Sequence, residues 1–178
     1  MATIFTHAIV ALSARRLFFR EQVPAQFDAL AVLCAVAPDC DIIGFGLGIE
    51  YGDFLGHRGF AHSLCFAALL GVGVVSFAFG EVARFSPQWR KLAVFFFLVT
   101  ASHGVLDALT DGGLGIALFS PFENGRHFFP WQPLHVSPIG VGRIFSGYFL
   151  RVIGTEVLWI WTPCLAVVAA AVYVRRKR

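Results

Sequence analysis

Charge is what this sequence has least of. Lysine, arginine, aspartate and glutamate make up 14% of its 178 residues, and hydrophobic residues make up 57%. Soluble domains carry about 25% charged residues. A water-soluble fold of this size would not have enough polar side chains to cover its surface, so composition argues against one. Paired cysteines are also missing. Cys34, Cys40, Cys65 and Cys164 sit in apolar segments with neither disulfide-framework nor zinc-knot spacing, and they read as buried thiols. There is no internal repeat and no low-complexity tract. No secretory leader is recognisable, because the N-terminal apolar stretch lacks a small-residue cleavage site and carries a histidine early. The net charge of +3 does not form a nucleic-acid footprint, since the terminal RRKR reads as a membrane stop signal. No nucleic-acid partner is expected.

What the chain has instead is long apolar runs. Residues 64–80, 91–110 and 157–174 are each close to the roughly 17–25 residues needed to cross a bilayer. Residues 29–49 would also cross, but Pro38, Asp39 and Asp41 interrupt them, and residues 4–19 form a shorter run ending in Arg15 and Arg16. Helices are expected over 4–19, from 27 to a break at Pro38, and over 62–80, 92–110 and 155–174. A polar turn, REQVPAQ, follows the first, and the Gly-rich GFGLGIEYGDFLG forms a loop. The expected fold is all-α: a membrane helix bundle of about five hydrophobic segments, one of them broken at Pro38. Residues 1–178 form a single membrane-embedded domain, with 111–154 as a long external or interfacial region. Placing the C-terminus in the cytoplasm puts ten of the fourteen basic residues on the cytoplasmic side. The expected topology therefore has the N-terminus toward the periplasm.

Ionisable residues in or beside membrane segments are costly unless paired or coordinated, and this sequence has a specific set of them. His7 lies near the start of the first segment. Asp39 and Asp41 form PDCD, His57, Arg58 and His62 stand in HRGFAH, and His103, Asp107 and Asp111 stand in HGVLDALTD. Positions 103, 107 and 111 are successive i+4 steps and share one helix face. Asp39 and Asp41 would diverge in a regular helix but can converge in an extended turn after proline. His57 is expected in a tight loop shaped by Gly56 and Gly59, with His62 and Ser63 opening the next helix. In the topology set by basic residues, four histidines and four carboxylates collect at the outer ends of their segments. Histidine and carboxylate ligands without cysteine suit a divalent metal, with zinc favoured and manganese or iron as alternatives, and eight candidates suit two or three ions. Such a centre points to hydrolysis, with a lipid or amphiphilic phosphoester as the natural substrate.

These motifs together, behind an N-terminal TH, resemble the YdjM-like family of membrane-bound, metal-dependent hydrolases, described as bacterial inner-membrane proteins. The resemblance covers most of residues 1–125. The family pattern PD-x-D, HRG-x-x-HS and H-x-x-x-D-x-x-T implicates Asp39, Asp41, His57, Arg58, His62, His103 and Asp107. Ala61 stands where threonine is common, which leaves the ligands intact. The family is similar, more distantly, to zinc-dependent phospholipase C and P1-type nucleases, which are helical enzymes with clustered zinc ions. With this reading His7, Asp39, Asp41, His57, His62, His103, Asp107 and Asp111 are the metal ligands. Asp111 or an unligated carboxylate such as Asp41 serves as base, and Arg58 stabilises developing negative charge.

In the external segment SPFENGRHFFPWQPLHVSP, Arg126 and His127 are candidates for binding a lipid headgroup. Phe128, Phe129 and Trp131 are candidates for dipping into the interface, and an aromatic belt without a catalytic part is the plainer reading. The same centre could cleave a carboxylic ester or amide. Two non-enzymatic readings also stand: a structural or transported metal ion, and a regulator with a partner at the cytoplasmic face. Polar residues are absent from the inner halves of 64–80 and 157–174, which counts against transport, and the short cytoplasmic loops count against a regulator. The oligomeric state has no signature in the sequence.

Overall fold

The structure, a computed structural model, describes residues 1–20, 25–138 and 146–177. Arg143, Arg178 and most of the turn expected over 20–26 lie outside them. The chain is all-α. Helix α1 spans Ile4–Phe18, α2 Ala25–Val36, α3 Ile43–Gly46, α4 Leu64–Ala78, α5 Pro87–Ala108, α6 Gly147–Glu156 and α7 Thr162–Arg176. Among the described residues the only extended pairings are two isolated bridges, Thr110 with Leu134 and Ile116 with His127. Among the described residues, three continuous helical stretches are long and apolar enough to cross a membrane: Gln26–Gly46, Pro87–Ala108 and Gly147–Arg176.

Local chemistry sets these boundaries. Pro38 ends α2 at Val36, and the chain continues as a 3-10 turn, Ala37–Ile42, before α3. Proline offers no N–H and disfavours a helical residue before it. The turn that carries Asp39 and Asp41 is thus 3-10 helical, where an extended turn was expected. Ser63 caps α4 by accepting from the Phe66 N–H at 3.0 Å. Ser86 caps α5 in the same way, with Pro87 in the first turn, where a missing N–H costs nothing. The last helix begins at Gly147, eight residues before the expected 155. Residues 147–154 therefore belong to it and not to the external region. It passes through a π-helical turn, Val157–Trp161, into α7.

Successive long helices alternate in direction. The Phe18 ring meets Phe95 at 5.7 Å, Phe27 meets Phe79 at 5.8 Å, and Arg175 donates to the Arg16 and Leu17 carbonyls. The end of α1, the starts of α2 and α5, and the ends of α4 and α7 therefore share one end of the bundle. Nine of the twelve described lysines and arginines lie there, and Arg58, Arg126 and Arg151 lie toward the other. Phe19, Phe27, Phe95 and Phe96 interlock in edge-on and stacked pairs just inside the basic end. Helix α5 is the central column, and Phe95, Phe96 and Val99 on it are buried. Outer faces carry Leu33, Leu69, Phe77, Leu150 and Leu165, all exposed, as befits helices solvated by lipid. The expectation of uniformly buried thiols holds only for Cys34. Cys40 is exposed, and Cys65 and Cys164 are partly so.

Helices α4 and α5 approach backbone to backbone at Gly71, where an added Cβ would lie 2.8 Å from the Phe97 nitrogen and 3.1 Å from the Ala93 oxygen. Small residues permit such close contact in membrane bundles. Gly71→Val is expected to destabilise the protein by about 1–3 kcal/mol through overpacking, seen as a lowered melting temperature in detergent. Gly73→Val, in open space on the same helix, should change it far less.

Candidate metal centre

The polar side chains gather at the end of the bundle opposite the basic one. The 3-10 turn after α2 delivers Asp39 and Asp41. The loop before α4 delivers His57, Arg58 and His62, and the last turns of α5 deliver His103 and Asp107. Each element brings its residues for a local reason: the proline break, the tight loop, and the one-turn spacing on α5. The loop packs so closely that a Cβ on Gly56 would sit 2.1 Å from the Glu50 oxygen. Arg58 within it adopts a left-handed backbone with φ 66°, a conformation that costs an arginine about 1–3 kcal/mol and persists only when its surroundings enforce it.

Two imidazoles face each other at the centre. His62 Nε2 and His103 Nε2 are 3.1 Å apart. Asp39 Oδ1 lies 3.2 Å from the His103 nitrogen and 3.5 Å from the His62 nitrogen. Asp107 Oδ2 lies 3.8 Å from His62 Nε2. His103 Nδ1 donates to the Ala35 carbonyl at 2.7 Å, which leaves its Nε2 lone pair aimed inward. His62 Nδ1 lies 3.1 Å from Asp41 Oδ2. The far nitrogen of His103 is thus held by a hydrogen bond and that of His62 lies at ion-pair distance from a carboxylate, the kind of outer partner that orients a metal-bound histidine. Tetrahedral bonds of about 2.0–2.1 Å give ligand–ligand edges of about 3.3 Å, close to the shorter separations here. Asp39, His62, His103 and Asp107 could hold one ion, and Asp41, His57 and His62 form a second group within reach of one.

Asp41 holds the loop as well as the ring. Its Oδ1 meets His57 Nδ1 at 2.7 Å, and its Oδ2 accepts the Arg58 N–H at 3.1 Å. Both oxygens are thereby engaged with histidine nitrogens and backbone. His62 lies outside the membrane-spanning helices. Burial alone would lower its pKa, but the carboxylates of Asp39 and Asp41, with the charge of Asp107, outweigh burial and raise it to about 9. Without a metal, that raised pKa favours the protonated His62 ring near neutral pH.

Around this core, Asp107 is fully buried. It accepts the Ala2 N–H at 2.6 Å and lies 3.4 Å from Arg58 Nε. The Arg58 guanidinium also donates to the Gly112 carbonyl at 2.5 Å and to Thr110 Oγ1 at 3.0 Å. Arg58 is therefore engaged in holding Asp107, which corrects its expected place facing the substrate. His7 is fully buried, its ring stacked on His103 at 3.8 Å and its Nε2 3.6 Å from Asp107 Oδ1. Neither His7 nitrogen has a hydrogen-bond partner.

Two expected site residues, Asp111 and Arg126, are placed elsewhere. Asp111 does not join the stripe of His103 and Asp107, because α5 ends at Ala108 and the Asp111 N–H pairs with the Leu134 carbonyl. Its carboxylate bonds His135 Nδ1 at 2.7 Å and the Val136 N–H at 2.8 Å. Burial, which would raise its pKa, is outweighed by those two contacts and the pKa falls. Arg126 spends its guanidinium on the carbonyls of His57, Tyr51 and Asp53. It clamps the loop carrying His57 and leaves little for a headgroup. Trp131 packs edge-on against Trp159 at 5.0 Å, while His127 stays exposed beside Glu123.

One polar residue near the centre had no place in the sequence reading. Glu156, fully buried, binds the first turn of α1. Its signal is a lone acidic side chain directly before the apolar run that begins at Val157.

The family model described as YdjM inner membrane protein matches residues 1–178. The chain is 33% identical over 163 residues to inner membrane protein YbcI of Escherichia coli K12, covering 92% of each chain. No solved structure matches it, and the likeness to zinc-dependent phospholipase C and P1-type nucleases finds no counterpart in these matches.

Proposed function

The chain belongs to the YdjM inner membrane protein family, and from that premise we propose that it is a metal-dependent hydrolase of the bacterial inner membrane, acting on a lipid or amphiphilic phosphoester. The observation that carries this reading is the pair of facing His62 and His103 nitrogens, 3.1 Å apart, flanked by Asp39 and Asp107. A divalent ion held there, zinc by ligand type, supplies Lewis acidity and an activated water. Asp39 is the ligand side chain with the most exposure, 14%, so substrate reaches the centre past the 3-10 turn. Arg58 and the Ala2 N–H fix Asp107, and Asp41 fixes His62. His7, buried with its ring stacked on His103 at 3.8 Å, would hold that ring in its ligating orientation. His127 and Trp131, both exposed at this end, meet the headgroup region. The basic residues gathered at the opposite end support a cytoplasmic C-terminus and a periplasmic site.

A second reading rests on a specific observation. His62, His103 and Asp107 are all at least 98% buried, as in closed structural metal sites. Purified protein decides between the two. The hydrolase reading expects near-stoichiometric metal and turnover of phosphodiester or phospholipid substrates, both lost with a chelator and in His103→Ala. Stoichiometric metal with no turnover on phosphoester, carboxylic ester or amide panels would leave a structural ion. Protein that takes up no divalent metal would overturn both.

A further inference from the structure

The last helix carries Glu156 a third of the way along its length, completely buried, with only neutral hydrogen-bond donors on its carboxylate and the Met1 amino group as a charge acting on it. Its Oε1 accepts the Thr3 N–H at 2.5 Å, and its Oε2 accepts the Thr3 hydroxyl at 2.5 Å and the Thr6 hydroxyl at 2.7 Å. The Thr6 oxygen in turn accepts the Trp161 indole N–H at 2.6 Å. A carboxyl group with only neutral donors, set within an apolar helix, is expensive. It is stabilised here by converging hydrogen bonds and by the positive end of the α1 dipole, since Thr3 is the N-cap of that helix. The Thr3 side chain makes no cap of its own, so a residue of another helix takes that part. The π-helical turn begins at the next residue, Val157, and such insertions commonly mark functional positions.

The neighbouring peptide links this contact to the metal centre. The Ala2 N–H bonds Asp107 while the Thr3 N–H bonds Glu156, so successive amides are gripped by carboxyls from two different helices. One turn further on, the His7 N–H bonds the Thr3 carbonyl, and the His7 ring stacks on His103. We infer that Glu156 is a positioning residue of the metal centre. It acts through the first turn of α1 to hold Ala2 against Asp107 and His7 against His103. The last helix, which contributes no candidate ligand, is then part of the site.

The inference rests on the metal reading for its consequence but not for its geometry, and two measurements separate them. In metal-free protein in detergent, Glu156→Ala should raise hydrogen exchange at residues 2–7 at least tenfold, leaving the core of α5 protected. In zinc titrations the same variant should bind about 10–100-fold more weakly, the usual loss for an outer-shell partner. Glu156→Gln, which keeps one acceptor, should recover part of both effects, and the shorter Glu156→Asp should not. A merely structural role would lower the melting temperature without changing zinc affinity in the surviving folded protein. If Glu156→Ala fails to fold, Thr6→Val removes one of the three donors and should show the same two effects at smaller size. Unchanged exchange at residues 2–7 overturns the inference. So does raised exchange with unchanged zinc affinity. If the wild type binds no zinc, the metal reading fails, and the exchange data alone decide whether Glu156 holds the turn.

Discussion

Asp107→Ala is expected to abolish stoichiometric divalent-metal binding and to destabilise the metal-free protein by about 3–5 kcal/mol. Both effects come from the same side chain. Asp107 is one of the four residues that could share an ion, and it also faces the fully buried Arg58 at 3.4 Å. Removing it leaves a guanidinium with only the Gly112 carbonyl and the Thr110 hydroxyl, and leaves the Ala2 N–H without its acceptor. An uncompensated buried charge is costlier than a missing pair. Asp107→Asn keeps an acceptor for Ala2 and should lose the metal with a smaller fall in stability. Elemental analysis and thermal melts in detergent report the two quantities separately. A stable Asp107→Ala variant that keeps its metal would contradict the role given to this residue.

Metal affinity should climb with pH. His62 is raised to about 9 by the carboxylates beside it, so below that pH the metal-free protein carries a proton that the ion must displace. Each binding event then releases one proton, and apparent affinity rises about tenfold per pH unit from near neutrality up to about pH 9, flattening above it. The sign for folding is the reverse. A group raised in the folded state contributes stability below its unfolded value, 6.5 here, and that contribution is lost as pH passes through about 9. Metal-free protein should therefore melt earlier as pH rises, while metal-loaded protein holds. Competition with a chromophoric chelator from pH 6 to about pH 9 checks the slope. Calorimetry in buffers of different ionisation enthalpy counts the proton. A flat affinity profile would show that His62 is not displaced by the ion.

The bundle was legible because apolar runs of span length are rare in soluble proteins, and the polar cluster was legible because charge inside such runs is anomalous. His103 and Asp107 announced themselves by one-turn spacing, and Asp39 and Asp41 by a proline that breaks the helix beside them. What escaped the sequence depended on tertiary contacts. Asp111 has the spacing of its neighbours, but α5 stops three residues earlier, where Thr110 bridges Leu134. Arg126 has the look of a headgroup ligand until the loop folds and offers it three carbonyls. Glu156 stands one residue before the apolar run 157–174, so hydropathy alone gives it no part in that span. Its burial is tolerated only through Thr3 and Thr6, some 150 residues away. The division of Asp39 and Asp41 between facing the centre and bracing a ring is likewise a matter of side-chain placement that spacing does not determine.

The position of the centre along α5 has an electrical consequence. His103 stands five residues from the end of a 22-residue helix, about 8 Å into a length of about 33 Å. A charge carried fully across a membrane exchanges about 2.3 kcal/mol with each 100 mV of potential. An ion arriving from the near end crosses only about a quarter of that drop, and the interlocked phenylalanines fill the bundle beyond. For a divalent ion that quarter would amount to about 1 kcal/mol per 100 mV, so the membrane potential would shift the occupancy of such a centre only several-fold, where a charge carried through the full span would feel about four times as much.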